Sequence, residues 1–179
     1  MAIRRPPSLK VRALQWLAQR EHSRAELREK LLRLAHAPPQ NPGAGVGDGE
    51  APDDAPATEP ALEPEQEVDT LLAWLEVRGY LSDPRFLESR VATRAPRFGN
   101  LRIENELRQR GVELDADTRQ SLRDTELQRA REVWQRKYGR QTPADPAARL
   151  RQMRFLAGRG FSAEVVRQVL RTGTSTDDE

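Results

Sequence analysis

Apolar positions along this chain recur every three or four residues almost from end to end. Val11, Leu14, Leu17 and Ala18 fall at i, i+3, i+6 and i+7, and Leu27, Leu31 and Leu34 at i, i+4 and i+7. Val68, Leu71, Leu72 and Leu75 form the cleanest stripe, at i, i+3, i+4 and i+7. Leu87, Val91 and Ala95 follow, then Ile103 and Leu107, then Leu114, Thr118 and Leu122. Leu127, Ala130, Trp134 and Tyr138 are spaced 3, 4 and 4, and Leu150, Met153 and Ala157 are spaced 3 and 4. Val165, Val166, Val169 and Leu170 close the series. This is the period of helices that each bury one face. It predicts nine helices, and no stretch alternates long enough to predict a strand.

The polar punctuation agrees. Ser23-Arg24-Ala25-Glu26 reads as a capping box. Asp83-Pro84 and Asp145-Pro146 each set a cap acceptor before a proline at the first helical position, and Asn100 and Ser162 are further N-cap candidates. Gly79, Gly111 and Gly160 each follow an arginine and precede an apolar residue, where a helix ends in a left-handed cap. That recurrence is a weak internal repeat. It divides the chain into three sets of three helices: 9–35 with 65–82, then 83–123, then 124–171, with an acidic tail over 172–179. The expected fold is therefore all-α, an elongated array of three three-helix repeats whose neighbours complete one another's cores.

Residues 36–64 break the pattern. They hold seven of the 13 prolines and four of the 11 glycines, and no periodicity of either kind. This reads as a flexible, disordered acidic linker inserted into the first repeat.

Composition supports thin units. Apolar residues make up 36% of the 179, charged residues 32%, and the mean hydropathy is −0.81, which is low for one thick core. The net charge of +2 conceals a segregation: +6 over residues 1–35, −8 over 36–68 and +7 over 69–176. A basic folded body suits a polyanionic partner, nucleic acid or a protein already on nucleic acid. One cluster follows a helix face at i, i+4 and i+7, Arg90, Arg94 and Arg97, and continues across Gly99-Asn100 into Arg102, Arg108 and Arg110. These six are the candidate partner-binding residues. A second cluster is Arg129, Arg131, Arg136, Lys137 and Arg140.

Chemistry is harder to find. The absence of cysteine removes disulfides, thiol nucleophiles and thiolate metal sites. No phosphate-binding glycine loop, zinc-protease helix or hydrolase elbow occurs. Glu104 and Glu106, like Asp115 and Asp117, stand two apart, a spacing that sends helical side chains to different faces, so they read as solvated charges. His22 reads as part of the turn before the Ser23 cap. Trp134 and Tyr138 share the stripe of Leu127 and read as core. No catalytic residue, cofactor or metal is expected. The N-terminus has no signal-like apolar stretch and no run approaches a membrane span, so the expectation is a cytoplasmic chain with no membrane partner.

Four segments resemble the RecX family of recombination regulators. Arg20-Glu21-His22-Ser23-Arg24-Ala25-Glu26-Leu27-Arg28-Glu29-Lys30-Leu31 is similar to the family's opening motif. Gly79-Tyr80-Leu81-Ser82-Asp83-Pro84-Arg85-Phe86 is similar to its junction. Arg94 through Gly99, then Ile103 through Val112, resembles its central segment, and Arg159-Gly160-Phe161-Ser162 its C-terminal ending. The four occur in the family's order over about 9–171. The resemblance implies an all-helical curved rod of three-helix repeats. It implies a non-enzymatic regulator that binds the RecA recombinase filament on single-stranded DNA and lowers its ATPase, strand-exchange and coprotease activities. It brings no catalytic residues. Two features depart from the family pattern: the insertion at 36–64, and the single glycine in Gly99-Asn100-Leu101-Arg102. Beside the filament regulator, taken as a monomer, stands a second reading. In it a three-helix unit binds single- or double-stranded DNA directly, with a steep salt dependence.

Overall fold

A computed structural model describes residues 7–37, 63–139 and 143–172. Eight helices carry them: α1 Leu9–Gln19, α2 Arg24–Ala35, α3 Pro64–Val77, α4 Asp83–Arg94, α5 Asn100–Arg108, α6 Ala116–Tyr138, α7 Pro146–Gly158 and α8 Ala163–Thr172. The fold is all-α, with no strand among the described residues. The linker expected over 36–64 lies, from 38 to 62, outside the described residues, as does the tail beyond residue 172.

The chain divides into two compact units, Met1–Ser82 and Asp83–Glu179. The first holds α1 to α3 around Ala13, Leu27, Leu31, Val68, Leu72, Leu75 and Leu81. The stripe Val68, Leu72, Leu75 is wholly buried, so α3 contributes three of the seven buried side chains of this core. Arg28 ties α2 to α3: its Nε donates to Asp69 Oδ1 at 2.7 Å and its Nη2 to Asp69 Oδ2 at 3.0 Å. That two-pronged contact holds the Asp69 carboxyl below its ordinary pKa. Trp16 and Trp74 pack half-buried on this core, Trp74 with Lys10 Nζ 3.9 Å from its ring centroid.

The opening motif has a structural cause. Ser23 Oγ accepts from the Glu26 amide at 3.1 Å and starts α2. Glu26 is buried, and Arg20 and Lys30 pair with its carboxylate. His22 is 2% exposed, with Nδ1 3.2 Å from Glu26 Oε1. Burial, and then the Arg20 charge, outweigh Glu26 and lower the His22 pKa.

The second unit has two cores. One gathers Phe86, Leu87, Ile103, Leu107, Val112, Leu114 and Leu122 from α4, α5, the α5–α6 connection and the start of α6. The other gathers Ala130, Val133 and Trp134 from the rest of α6 with Leu156, Phe161, Val166, Val169 and Leu170. Trp134 is buried as its stripe predicts, and its indole N–H donates to Gln152 Oε1 at 2.9 Å. Tyr138 packs half-buried beside it. Where periodicity predicts two helices, one between 114 and 122 and one from 127 on, a single helix of 23 residues runs through. Three cores thus arise from eight described helices, because α6 serves two of them.

The arginine-glycine repeat is also explained. Gly79, Gly111 and Gly160 have φ of 72°, 71° and 83°. Each lets the next amide reach back to close the helix: Tyr80 to Leu75 O at 2.9 Å, Val112 to Leu107 O at 3.1 Å and Phe161 to Leu156 O at 3.3 Å. The apolar residue then enters the core in two cases, Val112 and Phe161. In the first repeat Tyr80 stays half exposed and Leu81 enters instead.

Candidate partner-binding site

Arg90 and Arg94 lie on α4, and Arg102, Arg108 and their acidic neighbour Glu106 on α5. The α4–α5 connection brings three of these arginines onto one carboxylate. Arg94 Nε stands 2.8 Å from Glu106 Oε2, Arg90 Nη2 3.6 Å from the same oxygen, and Arg102 Nε 3.4 Å from Glu106 Oε1. The Glu106 side chain is only 19% exposed. It is therefore no solvated charge, as two-residue spacing suggested. The spacing argument covers a helix's own faces and does not see a second helix supplying arginines. Asp115 is exposed, as expected of a solvated charge, and has a capping role besides. It is the N-cap of α6, accepting from Thr118 N and Thr118 Oγ1 at 2.7 Å each, and these bonds lower its pKa.

The other three candidates sit apart from that knot. Arg97 is exposed in the turn after α4, and its carbonyl accepts from Arg159 Nη1 at 3.2 Å. Arg108 Nη1 donates to Asn105 Oδ1 at 3.3 Å on its own helix. Arg110 is half-buried at the end of α5. Three arginines converge on one carboxylate, held on two packed helices.

The second basic cluster divides. Arg129 is a structural residue: Nη1 donates to the carbonyls of Ala95 and Phe98 at 3.1 and 2.8 Å, and Nη2 to Leu122 O and Asn100 Oδ1 at 2.9 and 2.6 Å. Burial lowers its pKa, against the pull of Glu126. Arg140 lies outside the described residues. Arg136 and Lys137 are exposed and Arg131 is half-exposed.

Sequence reasoning missed Glu126. α5 has Gly99 as N-cap and hence no capping side chain. Glu126, reaching from α6, accepts from the Asn100 amide at 3.1 Å and from the Ser162 amide at 3.3 Å, so one buried carboxylate serves the starts of α5 and α8. It also missed Arg159, whose role appears only when α7 is folded against the α4–α5 turn. No local signal marks either residue.

Among the described residues there is no group of three or more metal-ligating side chains and no helix long and apolar enough to cross a membrane. A concavity of about 360 Å³ is lined by Asp83, Leu87, Glu88, Val112, Asp115 and Thr118 among others, and its hydroxyl, Thr118 Oγ1, donates to Asp115 Oδ2 at 2.7 Å within the N-cap of α6.

The described residues define an all-helical protein of small three-helix cores, with arginines gathered on α4 and α5. Residues 124–170 match the family described as RecX, third three-helix domain. A Regulatory protein RecX of Leptothrix cholodnii is 45% identical over 99% of this chain and 98% of its own length. One of Ralstonia pickettii is 40% identical over 93% and 89%, and one of Herbaspirillum seropedicae 40% identical over 98% and 97%. The chain belongs to the RecX family of regulatory proteins.

Proposed function

We propose that this protein binds the RecA recombinase filament on single-stranded DNA and restrains it, lowering ATP hydrolysis, strand exchange and coprotease activity, without catalysing a reaction itself. The observation that carries this reading is an arginine cluster fixed on α4 and α5, in a chain whose relatives over nearly its whole length are named regulatory proteins. The physics is favourable. Several thin helical units joined in one chain can touch more than one filament subunit, and linked weak contacts raise the effective concentration of the next. Arg90, Arg94, Arg97, Arg102, Arg108 and Arg110 form the proposed contact region. The repeats at 9–35 with 65–82, 83–123 and 124–171 are the proposed modules.

The test is the single-stranded-DNA-dependent ATPase of the cognate recombinase, titrated with this protein well below one per subunit. Inhibition at substoichiometric ratios is expected. No inhibition, together with binding to naked DNA in the same buffer, would replace this reading by that of a helical DNA-binding module.

A further inference from the structure

Phe98 ends the α4–α5 turn and packs half-buried on the second core. Three guanidinium groups surround its ring: Arg102 at 4.3 Å from the centroid, Arg94 at 5.3 Å and Arg159 at 5.9 Å. Arg159 also lies 4.6 Å from the Phe155 ring on α7, and Lys137 Nζ lies 5.0 Å from that same ring. Phe155 meets Tyr138 edge to face at 5.4 Å. Each ring is shared by successive cations, so the charges run in a row: Arg94, Arg102, Arg159, Lys137.

The row is pinned by backbone. The Gly99 amide donates to Arg159 O at 3.0 Å and the Leu101 amide to Gly160 O at 3.2 Å. Arg102 Nη1 donates to Gly158 O at 3.5 Å and Arg159 Nη1 to Arg97 O at 3.2 Å. Among the described residues neither Arg159 nor Lys137 pairs with a carboxylate, so this end of the row is uncompensated charge. The rings support the cations and pack against the cores, which makes them poor platforms for stacked bases. The row thus sets cations beside half-buried aromatic rings. A phosphate backbone would use only the charge, whereas an acidic protein segment with interspersed apolar side chains would use both.

We infer that the row of Arg94, Phe98, Arg102, Arg159, Phe155 and Lys137 is a docking surface for an acidic, apolar-interleaved segment of a protein partner. Carboxylates meet Arg102, Arg159 and Lys137, and apolar side chains meet the edges of Phe98 and Phe155. This rests on the filament-regulator reading and carries its contact region from α4 and α5 onto α6 and α7.

The experiment compares the full-length chain with Lys137→Gln/Arg159→Gln and with Lys137→Glu alone, which leaves the Gly99 seam untouched. Two quantities are read: the half-inhibitory concentration in the recombinase ATPase, and affinity for a labelled oligothymidylate by anisotropy. The double variant should raise the half-inhibitory concentration about tenfold and Lys137→Glu about threefold or more, with oligonucleotide affinity changed less than about twofold. Unchanged inhibition by Lys137→Glu in a protein that melts like wild type would overturn the inference, as would an equal loss of oligonucleotide binding, which would assign the row to phosphate. If the wild-type chain does not inhibit, the function reading fails and takes this surface with it. If only the variants behave like wild type, the surface alone is wrong.

Discussion

Gly99 and Gly160 meet backbone against backbone: a Cβ on Gly99 would lie 2.2 Å from the Gly160 carbonyl oxygen. The contact joins the turn before α5 to the turn after α7, and two hydrogen bonds follow from it. Gly99 has φ of −77°, so its backbone would accept alanine; space, not torsion, forbids it. Because the obstructing atoms are main chain, nothing can swing aside. Gly99→Ala should destabilise the second unit by about 3 kcal/mol or more. Gly158→Ala, with open space around its would-be Cβ, is the control and should be neutral or slightly stabilising. Urea denaturation decides: the Gly99 variant should lower the midpoint with an unchanged slope.

A second prediction concerns Glu126, whose carboxylate accepts from the first amides of two helices. Glu126→Ala strands both amides and leaves Arg129 without its nearest negative charge. A loss of about 3–5 kcal/mol is expected. Glu126→Gln keeps an acceptor oxygen and should lose about half of that. Equal melting of the two variants would show that the charge, rather than the acceptor, matters.

Much of this architecture is legible in the sequence. Helix starts at Ser23 and Asp145 and stops at Gly79, Gly111 and Gly160 are local effects of caps and left-handed turns, and they appear where the residues place them. The unbroken α6 is not legible from the stripes. Its buried positions, Leu122, Glu126, Ala130, Val133 and Trp134, keep helical spacing, but a glutamate holds one of them, so the apolar stripe reads as two. The better signal is negative: no glycine or proline stands between Val112 and Tyr138. The site was legible only in part. Arg90, Arg94 and Arg102 do come together, but the carboxylate that gathers them and the Arg159 that extends the row depend on packing between helices distant in sequence.

Acidification should weaken the first unit through His22 before Asp69 contributes. The His22 pKa is lowered from its ordinary 6.5 by burial, with Arg20 and Lys30 adding to the fall and Glu26 opposing it. Below pH 6.5 the unfolded chain therefore binds a proton that the folded chain resists, and stability falls as pH drops towards the folded-state value. Asp69, whose pKa is also lowered, acts later: its contribution is present above its ordinary value of 3.8 and is lost below it. Denaturation midpoints at pH 7.5 and 5.5 should differ in the wild type, and His22→Gln should flatten that difference. A His22→Gln protein with the full wild-type pH dependence would place the titrating group elsewhere.

The six candidate arginines should not behave alike when charge is reversed. Arg94 faces the half-buried Glu106 at 2.8 Å, so Arg94→Glu sets two carboxylates against each other beside Arg90. It should cost about 1–3 kcal/mol of stability as well as partner affinity. Arg97 is exposed, and among the described residues its guanidinium pairs with no carboxylate. Arg97→Glu should leave the melting temperature within about 2–4 °C of wild type, since a surface change of this kind falls within about 0.5 kcal/mol. It should still raise the half-inhibitory concentration several-fold, because the charge it removes is not already spent on Glu106. Glu106→Gln moves the other way, adding one positive charge to the cluster, and should tighten inhibition at low salt while lowering stability modestly. Melting and inhibition measured side by side separate the two effects. If Arg97→Glu inhibits as well as wild type while Arg94→Glu fails only through unfolding, the cluster on α4 and α5 is a structural knot and the partner lies elsewhere.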